Sequence, residues 1–134
     1  MNEKFQNACK RIEQSSPPIW FMRQAGRYHS HYRELKQKWT FELLCKLPNL
    51  ASEVALGPIE EFDYDVAILF SDILFPLEGL GLPLRFDPGP KFQFNLSEQN
   101  AEELSDIDKA LEFMKFQKDA VEMTREKLPN DKSL

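Results

Sequence analysis

Residues 19–28 read IWFMRQAGRY, an apolar run that stops at two arginines four positions apart with a glycine between them. A short continuous apolar stretch bounded by prolines and by charge is typical of a strand buried on both faces, as in a parallel sheet. We therefore predict a buried strand over residues 19–22 and a loop over residues 24–27. Arg23 and Arg27 then follow the carboxyl end of that strand.

A second apolar run, VAILF at residues 66–70, ends at Ser71 and Asp72. It predicts another buried strand of the same kind. The carboxyl ends of parallel strands share one face of a sheet, and ligands bind at that face. We therefore expect Arg23, Arg27 and Asp72 to line one cavity.

Each of these candidates has a simpler interpretation. The arginines suit the capture of an anion, because a guanidinium keeps its charge and grips carboxylate or phosphate with a planar fork. Alternatively, they lie in a solvated loop or form a salt bridge to Asp72 or Glu34. Gly26 indicates either a close backbone approach or a positive φ. Asp72 suits equally well the N-cap of the segment that follows it.

The remaining pattern predicts alternating helices and strands. Helices are expected over residues 2–14, about 28–38, 40–46, 50–62 and about 107–127, and a weaker strand over residues 82–86 before a DPGPK turn. Asn49 and the Ser105-Asp106 pair are predicted N-caps, and Pro58 predicts a kink or an early helix end. Phe62, Ile107, Leu111 and Ala120 are among the residues expected in the core. This order predicts an α/β fold with parallel strands, too few to close a barrel.

Composition and charge restrict the function class. The chain has 134 residues, 42% of them hydrophobic, and a net charge of −5, which suits one globular domain and argues against a general nucleic-acid surface. Cys9 and Cys45 lack the spacing of a zinc site, so free thiols are expected. No signal-peptide pattern and no membrane-length apolar run are found, so we expect a cytoplasmic protein. His29 and His31 are expected at a solvated helix start, on opposite sides if helical, and thus as a poor metal pair.

Several strings together resemble one enzyme family. WFMRQAGRY, YREL, ILFSDIL, GLPLRF and GPKF, in this order, are similar to the N-terminal part of uroporphyrinogen decarboxylases, and the resemblance covers about residues 4–134. It implies a single-domain TIM (β/α)8 barrel, usually a homodimer, in the cytosol or the plastid. The family removes CO2 from the four acetate side chains of uroporphyrinogen and gives coproporphyrinogen for haem and chlorophyll synthesis. It uses no metal and no organic cofactor.

The resemblance also implies roles for residues of this chain. The RQAGR string would bind the carboxylates of the substrate, and it comprises Arg23, Gln24, Ala25, Gly26 and Arg27. The central, catalytic aspartate of the family falls on Asp72, beneath the macrocycle. Phe41 corresponds weakly to a phenylalanine that lines the pocket, and Lys36 weakly to a position where arginine is common.

The chain departs from the family pattern in two respects. HSHYRE stands where LPEYRE is usual, which places His29 and His31 at unusual positions. A barrel of this kind needs ~250 residues, so we expect one incomplete domain over residues 1–134 that is inactive alone. Its open strand edges predict poor solubility or dimerisation. The alternatives are a methyltransferase of the same barrel, acting on corrinoid or thiol carriers with a zinc site, and a non-catalytic half barrel that binds tetrapyrroles.

Overall fold

The structure, a computed structural model, describes residues 1–99 and 101–134. It is a mixed α/β chain in which helices dominate. The elements are α1 Glu3–Cys9, α2 Ser30–Lys38, α3 Phe41–Lys46, α4 Pro48–Phe62, α5 Phe75–Gly79, β1 Leu84–Phe86, β2 Pro90–Phe92, a 3-10 turn Ala101–Glu103, α6 Ile107–Phe113 and α7 Lys115–Lys127. Helix α4 lies at the centre and packs against α2, α3 and α7. Among the described residues, no helix is both long and apolar enough to cross a bilayer.

Helix α1 ends five residues earlier than predicted, at Cys9. Arg11 adopts a left-handed conformation with φ of 57°. Its N–H donates to the carbonyl of Ala8, and the N–H of Ile12 donates to the carbonyl of Asn7 at 2.9 Å. This is a Schellman motif, which satisfies the last carbonyls of the helix. The apolar periodicity up to Ile12 concealed this stop, because arginine is an unusual residue at such a position.

Helix α4 begins at Pro48 and runs through Pro58 to Phe62, so the predicted Asn49 cap was wrong and Pro58 does not end the helix. Proline suits the first turn because its missing N–H would have no partner there. Pro58 is tolerated because α4 is buried along most of its length, and packing outweighs one lost hydrogen bond. The predicted core residue Phe62 is 40% exposed.

The single helix predicted over residues 107–127 is broken at Met114 into α6 and α7. Asp106 is its N-cap as predicted, since its Oδ1 accepts from the N–H of Lys109 at 2.8 Å. Ala120 is buried as expected, whereas Ile107 is 72% and Leu111 is 64% exposed. The break turns the apolar face of α6 away from the core.

Residues 19–22 and 66–70, the two predicted buried strands, are not strands in the structure. The prediction of a parallel sheet was also wrong for the two strands that do pair. Residues 19–22 are extended or turn, and Met22 is 78% exposed. Apolar residues of a strand are buried only where a layer covers both faces, and no described layer covers this run. The paired strands are β1 and β2, an antiparallel hairpin with Leu84 opposite Phe92. The predicted DPGPK turn therefore continues into a strand at Pro90.

Three extended segments nevertheless lie side by side at their starting residues. The N–H of Asp65 donates to the carbonyl of Ile19 at 2.9 Å, and the N–H of Ala67 donates to that of Ser133 at 2.8 Å. Val66 and Ser133 form a parallel bridge. The segment that begins at residue 65 is thus hydrogen-bonded both to the segment that begins at residue 19 and to the one at residue 133.

The carboxylate of Asp65 holds this junction together. It accepts from the N–H of Ile19 at 2.7 Å, from the amide of Asn2 at 2.9 Å and from Lys4 at 3.4 Å. Burial raises the pKa of Asp65, but the hydrogen bonds from Ile19 and Asn2 and the charge of Lys4 outweigh it and lower the pKa below 3.8. The N–H of Asn2 also donates to Ser133 Oγ at 3.0 Å. We call Asn2, Lys4, Ile19, Asp65 and Ser133 the Asp65 junction.

The core consists of three neighbouring clusters. The first, made of Leu35, Leu44, Leu50 and Val54, packs against Ala25, Tyr32 and Phe70. The second joins α4 to the end of the chain through Leu56, Ile59, Ala67 and Leu128. The third surrounds Cys45, Phe75 and Leu84. The first cluster therefore supports the segment that carries the two arginines.

Candidate functional site

The arginines lie on residues 22–29, which we call the arginine loop. Gln24 anchors its first half and is only 2% exposed. Its Nε2 donates to the carbonyl of Val66 at 2.9 Å, and its Oε1 accepts from the N–H of Phe21 at 3.1 Å. The side chain thus connects the loop to the neighbouring extended segment. Sequence reasoning found Gln24 only through the family resemblance, since glutamine is usually exposed.

Arg33 anchors the second half of the loop. Its Nη1 donates to the carbonyls of Arg27 at 3.0 Å and Tyr28 at 2.6 Å. The N–H of His29 donates to the carbonyl of Gly26 at 2.9 Å, and the hydroxyl of Tyr28 donates to the carbonyl of Gln24. No sequence pattern marked Arg33 for this role, because one exposed helical arginine is indistinguishable from others.

The side chains of Arg23 and Arg27 are exposed. Within the described residues, no carboxylate lies within 4.0 Å of either guanidinium. The alternative of a salt bridge to Asp72 or Glu34 was therefore wrong. Both fixed charges are available to a ligand.

Gly26 separates the two arginines at a point where the chain is crowded. A Cβ there would lie 3.2 Å from the carbonyl oxygen of Arg23 and 3.5 Å from the ring of Tyr28. Gly26 is not among the described residues with positive φ. Of the two predicted reasons for this glycine, close backbone approach is the correct one. Ala25 beside it packs against the first core cluster.

Asp72 lies at the end of the middle extended segment and is half-buried. Its Oδ1 accepts from the N–H of Leu74 at 2.9 Å, which closes a turn before α5. The predicted N-cap role of Asp72 was therefore wrong for α5, whose N-cap is Leu74 without a side-chain cap bond. In the part of the chain that the structure describes, Oδ2 of Asp72 has no hydrogen-bond partner. One oxygen is therefore free to accept a hydrogen bond from a ligand.

A row of aromatic side chains runs beside these groups. The ring centroids lie 5.4 Å apart for Tyr32 and Phe70, 5.7 Å for Phe41 and Phe70, and 4.8 Å for Phe41 and Phe86. We call Tyr32, Phe41, Phe70 and Phe86 the aromatic wall. Asp72 follows Phe70, a member of this wall, by two residues.

Several of the predicted residues affect the pKa values of Tyr32 and Cys45. Burial raises the pKa of Tyr32, nearby Cys45 raises it further, and Arg27 opposes the rise. Burial also raises the pKa of Cys45 to about 12, with a contribution from Asp72, while Lys46 and Lys36 oppose it. Arg27 is thus near enough to Tyr32, and Lys36 and Asp72 are near enough to Cys45, to affect these pKa values. Arg23 lies on the preceding turn, and no described side-chain contact joins it to the wall.

Two cavities in the described part of the chain are lined by other residues. One cavity of about 470 Å³ is lined mainly by Trp20, residues 66–69 and Leu134. Another, of about 450 Å³, is lined by His31, Glu53 and Glu60 with their neighbours. Neither includes Arg23, Arg27 or Asp72, so the expectation of one enclosing cavity is not met by either.

The two histidines differ from the prediction. His29 is 1% exposed, and its Nε2 lies 2.7 Å from Glu61 Oε2. It precedes α2 in an extended conformation with ψ of 122°. The rings of His29 and His31 therefore lie 5.7 Å apart, not on opposite sides of a helix. Among the described residues, no group of three or more His, Cys, Asp or Glu side chains could hold a metal ion.

Comparison with known proteins gives a consistent result. The family model described as "Uroporphyrinogen decarboxylase (URO-D)" matches residues 1–134. A uroporphyrinogen decarboxylase of Thermodesulfovibrio yellowstonii is 49% identical over 98 residues, which are 72% of this chain and 29% of that protein. One of Carboxydothermus hydrogenoformans is 50% identical over 92 residues, 67% of this chain and 26% of its own.

A longer match extends to nearly the whole chain. The uroporphyrinogen decarboxylase of Citrifermentans bemidjiense is 41% identical over 128 residues, which are 96% of this chain and 38% of that protein. The chain thus spans about a quarter to two fifths of the length of these curated relatives.

Proposed function

This chain belongs to the uroporphyrinogen decarboxylase family, and we propose that it forms part of the substrate site of such an enzyme. The reaction converts the four acetate side chains of uroporphyrinogen III into methyl groups and releases four CO2, giving coproporphyrinogen III. We further propose that residues 1–134 are the N-terminal portion of a TIM barrel. The extended segments joined at the Asp65 junction would form the first strands of this barrel.

The observation that carries the proposal is the pair of arginines on an anchored loop. Arg23 and Arg27 have no carboxylate partner among the described residues, while Gln24 and Arg33 fix the backbone that carries them. Uroporphyrinogen carries eight carboxylates, and planar guanidinium forks bind carboxylates with two hydrogen bonds. A fixed loop binds with less loss of conformational entropy than a mobile one.

Asp72 is assigned the central position beneath the macrocycle. The four pyrrole N–H groups of the substrate point inward, and the free Oδ2 can accept hydrogen bonds from them. The aromatic wall offers an apolar surface beside the macrocycle, with Phe41 as one of its members. Lys36, near Cys45, adds a positive charge without the fork of an arginine.

The chemistry follows from the charge that develops on the ring. A proton adds to a pyrrole carbon and makes that ring cationic. The bond between the acetate methylene and its carboxyl then breaks, CO2 leaves, and the electron pair neutralises the ring. The resulting methylene takes up a proton to become methyl, and the ring carbon gives its proton back. One proton is consumed for each CO2, and the carboxylate of Asp72 stabilises the cationic intermediates.

The wider assignments are also proposals. The family resemblance favours a cytoplasmic homodimer for the full-length enzyme, with uroporphyrinogen as its partner and without nucleic acid or membrane. The net charge of −5 supports the exclusion of a general nucleic-acid surface.

Binding of uroporphyrin III, the stable oxidised form of the substrate, tests the site. Quenching of Trp20 and Trp39 fluorescence on titration would give Kd. We expect Arg27→Ala to raise Kd roughly tenfold or more, because a charge-assisted hydrogen bond contributes about 1.5–3 kcal/mol. Coproporphyrin III, with four carboxylates, should bind more weakly than uroporphyrin III.

The matched control is Arg85→Ala, which removes another exposed arginine, on the β1–β2 hairpin. It should leave Kd unchanged. Equal Kd values for the wild type, Arg23→Ala and Arg27→Ala would refute the proposed site.

A further inference from the structure

The arginine loop is joined to helix α4 by a histidine that the proposed function does not otherwise use. His29 is the last residue before α2, and its side chain is 1% exposed. Its Nε2 lies 2.7 Å from Oε2 of Glu61, which is on α4 and is itself half exposed. The contact therefore connects the end of the loop to the central helix.

Gly57 of α4 provides the space for this ring. A Cβ at Gly57 would lie 3.1 Å from Cε1 of His29 and 2.4 Å from Nδ1 of His31. Glycine in the interior of a helix costs about 1 kcal/mol relative to alanine, so its presence here calls for a packing reason. The imidazole of His31, which comes nearest, and that of His29 together supply that reason, and the ring of His29 also lies 5.5 Å from the ring of Phe62.

One hydrogen bond sets the orientation of the ring. Because Nε2 faces a carboxylate, it carries the proton in the neutral ring. Nδ1 is buried and has no hydrogen-bond partner among the described residues. Glu61 is thus the described group that orients the imidazole by hydrogen bonding.

We propose that His29 is a positioning residue, which through Glu61 sets the distance between the arginine loop and α4. It acts on Arg27, two residues earlier, because the N–H of His29 donates to Gly26 and the carbonyl of His29 accepts from the N–H of Arg33. The consequence for ligand binding rests on the proposed function. The effect on the loop itself does not.

Amide hydrogen exchange on the full chain tests the effect on the loop. His29→Leu keeps the bulk of the side chain and removes the hydrogen bond. The amides of Gln24 and His29, both bonded within the loop, should then exchange roughly tenfold faster. The amide of Ala67, bonded to Ser133, should exchange at the wild-type rate. His29→Gln restores a donor and should restore protection, which a merely space-filling role would not require.

His31→Leu is the matched control. This neighbouring imidazole lies 3.4 Å from Glu53, is one-third exposed and is not bonded to the loop. Its replacement should leave the loop amides unchanged. Glu61→Ala provides a second route to the same contact, because Glu61 is half exposed and its loss leaves no buried gap.

Uroporphyrin III titration then tests the consequence for binding. Kd should rise several-fold for His29→Leu and for Glu61→Ala and return towards the wild-type value for His29→Gln. Unchanged exchange of the loop amides in both His29→Leu and Glu61→Ala would overturn the proposal. Faster exchange of these amides with an unchanged Kd for uroporphyrin III would also overturn it. If the wild-type chain does not bind uroporphyrin III, the proposed function fails, while the exchange data still decide whether His29 fixes the loop.

Discussion

The Asp65 junction lies where the extended segments begin, and the arginine loop lies where the first of them ends. The charged groups of these two regions differ in their hydrogen-bond and ion-pair partners. At the junction, the carboxylate of Asp65 is 7% exposed and accepts three hydrogen bonds. In the loop, Arg23 and Arg27 are exposed, and neither has a carboxylate partner among the described residues. One end of the segments therefore satisfies its charge within the chain, and the other leaves its charge free.

This difference separates stability from binding. A charge that is buried and bonded stabilises the fold and is costly to remove, whereas an exposed unpaired charge adds little to stability. In barrels built from parallel strands, the amino ends of the strands carry stability and the carboxyl ends carry the active site. In this chain a bonded carboxylate lies at the start of the extended segments, which form one parallel bridge in the described part, and exposed arginines follow the first of them.

Removing the carboxylate of Asp65 should have the largest effect. Asp65→Ala leaves the N–H of Ile19 without its acceptor and leaves the amide of Asn2 with the carbonyl of Asp131 alone, so we expect a loss of about 3 kcal/mol in the free energy of unfolding. Urea denaturation followed by circular dichroism measures it. Asp108→Ala, which removes an exposed carboxylate on α6, is the control and should change stability by less than about 0.5 kcal/mol. A loss below about 1 kcal/mol for Asp65→Ala would contradict the assigned role.

Gln24 lies in the arginine loop, but its side chain is buried and hydrogen-bonded, as the carboxylate of Asp65 is. Its replacement therefore sharpens the comparison of the two regions. Gln24→Ala leaves the buried carbonyl of Val66 and the partly buried N–H of Phe21 without these partners, and a loss of about 2 kcal/mol is expected. Gln37→Ala, on the exposed face of α2, serves as the control in the same denaturation experiment. Equal stabilities of the two variants would mean that the loop is not anchored through Gln24.

Acid should weaken the junction by less than truncation does. Because the folded-state pKa of Asp65 is lowered, its contribution is complete above the unfolded value near 3.8 and is lost as pH falls through the lower folded-state pKa. The free energy of unfolding, measured from pH 6 to pH 2, should fall in that acid range. Asp65→Asn should show a flatter profile below pH 4. Parallel profiles for the two proteins would show that another group causes the acid sensitivity.

The smallest effect is expected at the arginine that the proposed function uses most. Arg27→Ala should change the free energy of unfolding by less than about 0.5 kcal/mol, because its guanidinium has no carboxylate partner among the described residues. The same denaturation experiment measures this, with Arg33→Ala as the contrasting variant that removes two bonds to loop carbonyls. A loss above about 1 kcal/mol for Arg27→Ala would erase the distinction between the two ends.

Local patterns predicted the helices well where the stop signals were ordinary. Thr40 and Asp106 cap α3 and α6 through their side chains, and the helix over residues 40–46 was predicted with bounds within one residue. The failures have physical causes outside the local pattern. Arg11 ends α1 in a conformation that usually needs glycine, and the burial of α4 overrides the helix-breaking tendency of Pro58.

The sequence indicated which residues to consider for the candidate site, but it did not indicate the side chains that hold them in place. Arg23, Arg27 and Asp72 follow apolar runs, and that position marked them together with the family resemblance. The apolar run at residues 19–22 is exposed, because burial depends on a covering layer that a local pattern does not reveal. The burial of His29 depends on a glycine in another helix, and no short-range spacing connects the two.

Cys45 shows a practical consequence of burial. Its thiol is 1% exposed with a pKa of about 12, whereas Cys9 at the end of α1 is exposed. A maleimide reagent reacts with accessible thiolate, so one fluorophore should attach at Cys9 while Cys45 stays unlabelled until the chain unfolds. The sequence thus carries a single dye position at the end of α1 and an internal reporter of denaturation.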